Sequence, residues 1–337
     1  MTGPRTSAAP GAGAAGAGTG PVGVLVMAHG TPAAAGDIEA FYTRIRRGRP
    51  PTPEQLADLE RRYRAIGGTS PLAARTAGQV AGLAARLEEA EPGRYVVAYG
   101  AKHTEPSIEE AAASLARHGA SAVVGLVLAP HRASMGSEEY LARAAAALGE
   151  AGELPFVPVR QWYDAPGLAA LVGERVEAAL ASLPPDCRAE VLFTAHSLPE
   201  RVVAAGDPYP EQVAASAALA AGAAGLDRRG TGWRTAWQSA GRTPERWLGP
   251  DLVEVVRSLP AAGVQGVVVC PIGFVADHLE VLYDVDVEAR GVATGAGLAF
   301  ARTASLDDDP RFIDILAGVV RRAAGAAWSP ATAGARG

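Results

Sequence analysis

Two imidazoles sit where apolar runs end. His196 follows Val191-Leu192-Phe193-Thr194-Ala195 and precedes Ser197-Leu198-Pro199, while His29 follows Val24-Leu25-Val26-Met27-Ala28 and precedes Gly30-Thr31-Pro32. Imidazole titrates near neutrality and binds first-row divalent metals, so a histidine at a strand end can accept a proton or hold such a metal. The bland alternative is a histidine that only satisfies core hydrogen bonds; strand-end placement weighs against it for His196. The run from Pro271 to Glu288 supplies acids. On a helix, Glu280, Asp284 and Glu288 fall at i, i+4 and i+8 in one row, with Asp277 on the same face. A row of like charges repels itself unless protons or a cation intervene, so it is either a solvated helix face or a path for a metal. Read as a strand, Asp284, Asp286 and Glu288 would share a face instead.

Basic residues gather elsewhere. Arg44, Arg46, Arg47 and Arg49 follow Tyr42, and Arg61, Arg62 and Arg64 lie on the next helical stretch. They form either a solvated basic face or a site for a ligand with several carboxylates, which the guanidinium fork pairs bidentately. Lys102 is the single lysine among 31 basic residues. Gly67-Gly68-Thr69-Ser70-Pro71-Leu72 breaks two helical stretches and offers backbone donors at a helix start. It lacks the spacing and GK[ST] ending of a P-loop, and no GxGxxG follows the first strand. Tyr42, Trp237 and Trp247 are expected in the core.

These side chains need a frame. Val22–Ala28, Tyr95–Tyr99, Ala122–Ala129, Phe156–Arg160, Glu190–Ala195, Arg234–Gln238 and Val264–Cys270 read as strands. Asp37–Arg47, Pro53–Ile66, Leu72–Ala90, Ile108–His118, Ser137–Leu148, Gly167–Leu183, Glu211–Ala224 and Leu252–Leu259 read as helices. Several strands are apolar on both faces, as a parallel sheet covered by helices requires, so the fold is α/β and doubly wound. The His29 and His196 segments echo one another, and Leu126–Pro130 echoes Val268–Pro271, which points to two similar halves. In such sheets ligands bind beyond the carboxyl ends of strands, where both histidines stand.

Composition excludes other classes. With 337 residues, 48% of them hydrophobic, the chain can fill two domain cores. A net charge of −5 disfavours a general nucleic-acid binder. No apolar run is long enough to span a membrane, and Met1 to Gly20 lacks the apolar stretch of a signal peptide, so the protein is expected in the cytoplasm. Cys187 and Cys270 have no CxxC spacing and cannot build a four-thiolate cluster. The expected organisation is an Ala/Gly-rich disordered leader at 1–20, a first domain at 21–165, a second at 166–308, a terminal helix at 309–325 and a disordered tail at 326–337.

In order along the chain, Met27–Pro32, Tyr42–Arg49, Gly67–Leu72, Ala195–Pro199, Trp237-Gln238-Ser239 with Trp247–Pro250, and Gly273–Glu280 resemble signatures of the ferrochelatases, above all the coproporphyrin ferrochelatases of Gram-positive bacteria. The resemblance runs from about Val22 to Ala324. It implies two Rossmann-like domains with a porphyrin cleft between them, and Fe²⁺ as substrate in haem biosynthesis. It makes His196 and Glu280 the catalytic pair, with Asp284 and Glu288 the acidic metal row behind them. Arg46, Arg47, Arg62, Ser70 and Tyr140 match positions near the porphyrin or its propionates, and Lys102-His103 a loop near the cleft. Relatives often carry Tyr where His29 stands; imidazole is the better neutral iron ligand, so His29 is a candidate substrate-side metal ligand. No permanently bound cofactor and no [2Fe–2S] cluster are expected. The implied partners are the porphyrin and its metallated product, with an iron donor or downstream haem-pathway enzyme as further candidates and neither nucleic acid nor a membrane span expected. Two rival readings remain, a cobalt or nickel chelatase of a reduced tetrapyrrole and a non-enzymatic haem carrier.

Overall fold

The structure is a computed structural model that describes residues 20–327 except 153 and 242. Apart from Gly20, Ala326 and Ala327, the expected leader and tail lie outside the described residues. Along the chain run β1 Val22–Ala28, α1 Ile38–Ile45, α2 Pro53–Ala65, α3 Leu72–Ala90, β2 Tyr95–Ala101, α4 Ile108–Arg117, β3 Ala122–Val127, α5 Ser137–Glu150 and β4 Phe156–Val159. The second half continues with α6 Leu168–Ala181, β5 Ala189–His196, α7 Glu200–Ala204, α8 Tyr209–Ala223, β6 Gly232–Gln238, α9 Leu252–Ser258 and β7 Gly266–Cys270. A π-helical segment Val281–Ala289, α10 Arg290–Gly295, β8 Ala299–Arg302 and α11 Pro310–Ala327 complete it.

The halves repeat one topology. Both sheets have four parallel strands, in the order β2-β1-β3-β4 and β6-β5-β7-β8. β5 therefore occupies in its sheet the place of β1 in the other, and β7 that of β3, which matches both sequence echoes. In each half one short strand closes the sheet at an edge; β8 escaped the sequence reading because four residues rich in alanine carry no decisive periodicity.

Alternation along the strands builds three cores. Val22, Val24 and Val26 of β1 join Val191, Phe193 and Ala195 of β5 and Val268 and Cys270 of β7 in one core that runs through both halves. Leu25 and Met27 face the opposite way onto Ile108, Leu115 and Leu141, and Leu192, Val267 and Val269 face onto Val255, Val256 and Leu298. Phe193 and Phe312 are fully buried in the shared core, where truncation to alanine typically costs about 3–5 kcal/mol. A common core gives the strand ends of the two halves a fixed relation, as a site drawn from both requires.

Capping explains the helix starts. Thr52 and Ser107 accept backbone N–H bonds and are answered by Gln55 and Glu110, closing capping boxes at α2 and α4. Asp251 caps α9 from Val253 and Glu254. Among the described residues no helix is long and apolar enough to cross a membrane.

Candidate active site

His196 is the last residue of β5, paired in register with Gln238 of β6. The buried Gln238 amide ties three pieces together: its oxygen accepts from Thr194 Oγ1 at 2.7 Å, its nitrogen donates to the Glu280 carbonyl at 3.3 Å, and its backbone carbonyl accepts from Ser197 N at 2.8 Å. The loop after β7 crosses this strand end closely. Gly273 N donates to Thr194 O at 3.0 Å, and a Cβ on Gly273 would lie 2.6 Å from that of Ala195, so only glycine lets the chain pass on its way to Glu280.

Orientation of the imidazole follows from its backbone bond. His196 Nδ1 lies 2.6 Å from Ser197 O, an acceptor only, so Nδ1 carries a proton and Nε2 is the nitrogen turned to chemistry. Nε2 stands 3.7 Å from Glu280 Oε1, while Glu280 Oε2 stands 3.7 Å from Nε2 of His278. One carboxylate thus lies between two imidazoles. Burial alone would lower the His196 pKa, but the Glu280 carboxylate outweighs it and pushes the imidazole up to about 9. Burial likewise would raise Glu280, yet His196 and His278 hold it well below the usual carboxylate range. At neutral pH the pair is an imidazolium facing a carboxylate.

The acids behind Glu280 lie on a helix, which excludes the strand alternative for 284–288. The helix is not a simple α-helix: one α-helical turn at Leu279 and Glu280 leads into the π-helical stretch Val281–Ala289, where Arg290 N reaches back to Val285 O. An i→i+5 ladder holds more residues per turn than the α-helical value of about 3.6, so a step of four falls short of a full turn where it would otherwise overshoot. The row keeps to one side with its drift reversed. Asp284 is buried; burial and the Glu280 charge push its carboxyl up to about 6, against the opposing pull of Ser239 and Arg62. Arg62 Nη1 lies 3.4 Å from Asp284 Oδ1, and Ser239 Oγ donates to Oδ2. Glu288 is half-buried and adds to the charge felt by Asp284. Asp277 does not join this face. It precedes the helix, in an irregular stretch after two bends, and is bound to Arg302 and Ser305, so the helical periodicity does not reach back to it.

The first half contributes His29, directly after β1. Its Nδ1 lies 3.2 Å from Gly30 O, the arrangement that His196 has with Ser197, so Nε2 is again the free nitrogen. His103 lies beside it, tilted, at 4.7 Å and Phe41 closes edge-on at 5.8 Å. Desolvation holds His29 below its usual pKa even though Glu280 pulls the other way, and burial, with the nearby Lys102 charge, pushes His103 down to about 3. Glu280 is therefore within electrostatic reach of both strand ends.

The other sequence candidates divide into two sets. Arg46 lies over Tyr42 at 5.6 Å, Arg47 is almost fully exposed and 3.7 Å from Glu139, and Arg44 donates to the His103 carbonyl at 3.4 Å, so this cluster borders the His29 side with open guanidinium groups. Arg62 instead turns to the acid row, Ser70 Oγ accepts from Leu72 N at the start of α3, and Lys102 is committed to Glu139 at 2.5 Å above the buried Tyr140 ring. Sequence reasoning missed the pinning roles of Gln238 and Ser239, although both stand in the Trp237-Gln238-Ser239 signature, and missed Arg302. Among the described residues no three of His, Cys, Asp and Glu gather as a ready-made metal cage, and Cys187 and Cys270 are free thiols.

A ferrochelatase family model matches residues 21–324. The chain belongs to the ferrochelatase family. It is 44% identical over 303 residues to the coproporphyrin III ferrochelatase of Bacillus pumilus, covering 89% of this chain and 96% of that one. It is equally 44% identical to the coproporphyrin III ferrochelatase of Bacillus subtilis, over 90% of this chain and 98% of the relative. Among solved structures, SirB from Bacillus subtilis with Fe³⁺ shares the fold, with a TM-score of 0.57 at 12% identity over 91% of this chain and 97% of that one. As a ferrochelatase the chain is a metal chelatase, and Fe²⁺ is its substrate.

Proposed function

We propose that this ferrochelatase inserts Fe²⁺ into coproporphyrin III in preference to protoporphyrin IX, with His196 and Glu280 at the metal and the Arg44–Arg49 cluster on the propionates. The observation that carries the reading is the His196 Nε2 to Glu280 Oε1 approach of 3.7 Å at the end of β5, backed by the Asp284 and Glu288 row. The substrate follows from charge: four propionates meet an arginine-rich rim better than two. The halves 21–165 and 166–308, with the helix at 309–325 packed on the first, are the two walls of the cleft.

Insertion of Fe²⁺ releases two pyrrole protons, so the site must take protons as it gives up a hydrated metal. His196 holds a proton at neutral pH and cannot act first as base. Glu280 is ionised and receives first; Asp284, with its carboxyl near neutrality, passes protons outward toward Glu288. Once Glu280 has passed its proton to Asp284 it takes the His196 proton as well, and Nε2 is then free to meet the iron. The groups are coupled, and the protons belong to the set rather than to single residues. Propionate contacts far from the metal supply binding energy that can hold the macrocycle bent, in the range of about 1–5 kcal/mol.

His29 serves as a metal ligand on the other side of the ring. Exchange of His29 for Tyr is expected to shift the absorption bands of the bound metallated product more than it changes turnover; identical spectra for the two proteins would remove His29 from the iron. The substrate reading is tested by anaerobic insertion with Fe²⁺, Co²⁺ and Ni²⁺ into both porphyrins. Faster loss of coproporphyrin fluorescence with Fe²⁺ is expected, and equal rates for the two porphyrins would defeat the preference.

A further inference from the structure

The Glu280 carboxylate is held by charge alone: it meets His196 and His278 at 3.7 Å, beyond hydrogen-bond distance, so its exact place depends also on the backbone that carries it. Gln238 holds its carbonyl; from Val281 onward the chain is a π-helix, a register that gives way to the α-helix unless something outside the helix maintains it. Arg302, the last residue of β8, lies against that segment with its side chain only 13% exposed.

One guanidinium grips both ends. Nε donates to Oδ1 and Oδ2 of Asp286, both at 3.0 Å, and Nη1 and Nη2 reach Oδ1 and Oδ2 of Asp277 at 2.9 and 3.4 Å. Asp277 stands three residues before Glu280 and Asp286 six after it. Ser305 Oγ donates to Asp277 Oδ1 at 2.6 Å, Arg290 reaches Asp286 at 3.3 Å, and Asp307 accepts from Asp277 N at 3.0 Å, so the turn after β8 braces the same strut. A return of 281–289 to α-helical register would rotate Asp286 away from Arg302. We propose that Arg302 is a positioning residue for iron insertion: it holds Asp277 and Asp286 in one fork, and thereby fixes the π register and the seat of Glu280 against His196. The planar fork makes both contacts at once; an ammonium, a point charge, does not. The proposal rests on Glu280 acting with His196 at the metal.

The test compares wild type, Arg302→Lys, Arg302→Met and the triple variant Arg302→Met/Asp277→Asn/Asp286→Asn in anaerobic Fe²⁺ insertion, with thermal unfolding of each. Arg302→Lys is expected to lower kcat about 100-fold, the scale of a roughly 1 Å displacement, with KM for the porphyrin within about twofold of wild type. The triple variant removes the half-buried charges together, so its Tm recovers relative to Arg302→Met alone while its kcat stays low. A kcat that recovers in step with Tm, or Arg302→Lys turning over at the wild-type rate, overturns the proposal. Wild-type protein that inserts no iron would instead overturn the functional reading on which it stands.

Discussion

Replacement of His196 by alanine is expected to cut Fe²⁺ insertion at least about a thousandfold while the porphyrin still binds. The scale follows from what is removed: a positioned proton-transfer group contributes about 10²–10⁴-fold, and the same Nε2, once it has lost its proton, is the proposed iron contact. Binding is expected to survive because the arginines at the rim lie on α1 and the turn after it, in the other half. Fluorescence titration of the free porphyrin and anaerobic turnover separate the two quantities. A variant with wild-type turnover would remove His196 from the chemistry; one that no longer binds porphyrin would make it a substrate anchor instead.

Glu280→Gln is expected to lower the maximal rate about 100-fold and to move the pH profile in a direction fixed by the charges. In wild type, kcat/KM rises with pH as His196 sheds its proton, through a pKa raised to about 9 by Glu280. Without that carboxylate, burial is opposed by Asp284 and the Ser197 carbonyl alone, so the rise moves to lower pH while its plateau drops. Folding stability carries the same sign. A histidine raised above its unfolded value of about 6.5 stabilises the fold fully below that pH and loses the contribution as pH climbs through about 9. Glu280→Gln should flatten this alkaline slope in Tm. An NMR titration of His196 that is unchanged in the variant would break the proposed pairing.

Much of this site was legible because strand ends are local events. An apolar run, Ala-His and a loop closing on Pro mark the mouth of a parallel sheet, and the two copies of that pattern proved to occupy the same position in the same strand order. Leu72–Ala90 matched to the residue, since the Gly pair and Pro71 before it leave the helix one place to start. The features that escaped depend on partners distant in sequence. A four-residue spacing of acids does not distinguish i→i+4 from i→i+5 bonding, so the π register was invisible, and Asp277 was placed on a helix that begins after it. Lys102 drew notice as the single lysine; Glu139, 37 residues on, decides where its charge goes. Arg302 stands in a strand too short to show periodicity, and its grip on Asp277 and Asp286 emerges only when β8 lies beside that turn.

The shared frame also explains an asymmetry. His29 and His196 are held alike, each with Nδ1 on the next carbonyl, yet only the second half places an acid row beside its histidine. Under the proposed function, one wall moves protons and receives iron, while the other holds the product through His29 and binds propionates.

The most direct test mixes the protein with Fe²⁺ and excess porphyrin under anaerobic conditions, following fluorescence loss with coproporphyrin III and protoporphyrin IX in parallel. The proposed function requires catalytic loss of coproporphyrin fluorescence over many turnovers, faster than that of protoporphyrin. Fluorescence that stays constant with both porphyrins, while the protein binds them, would contradict it.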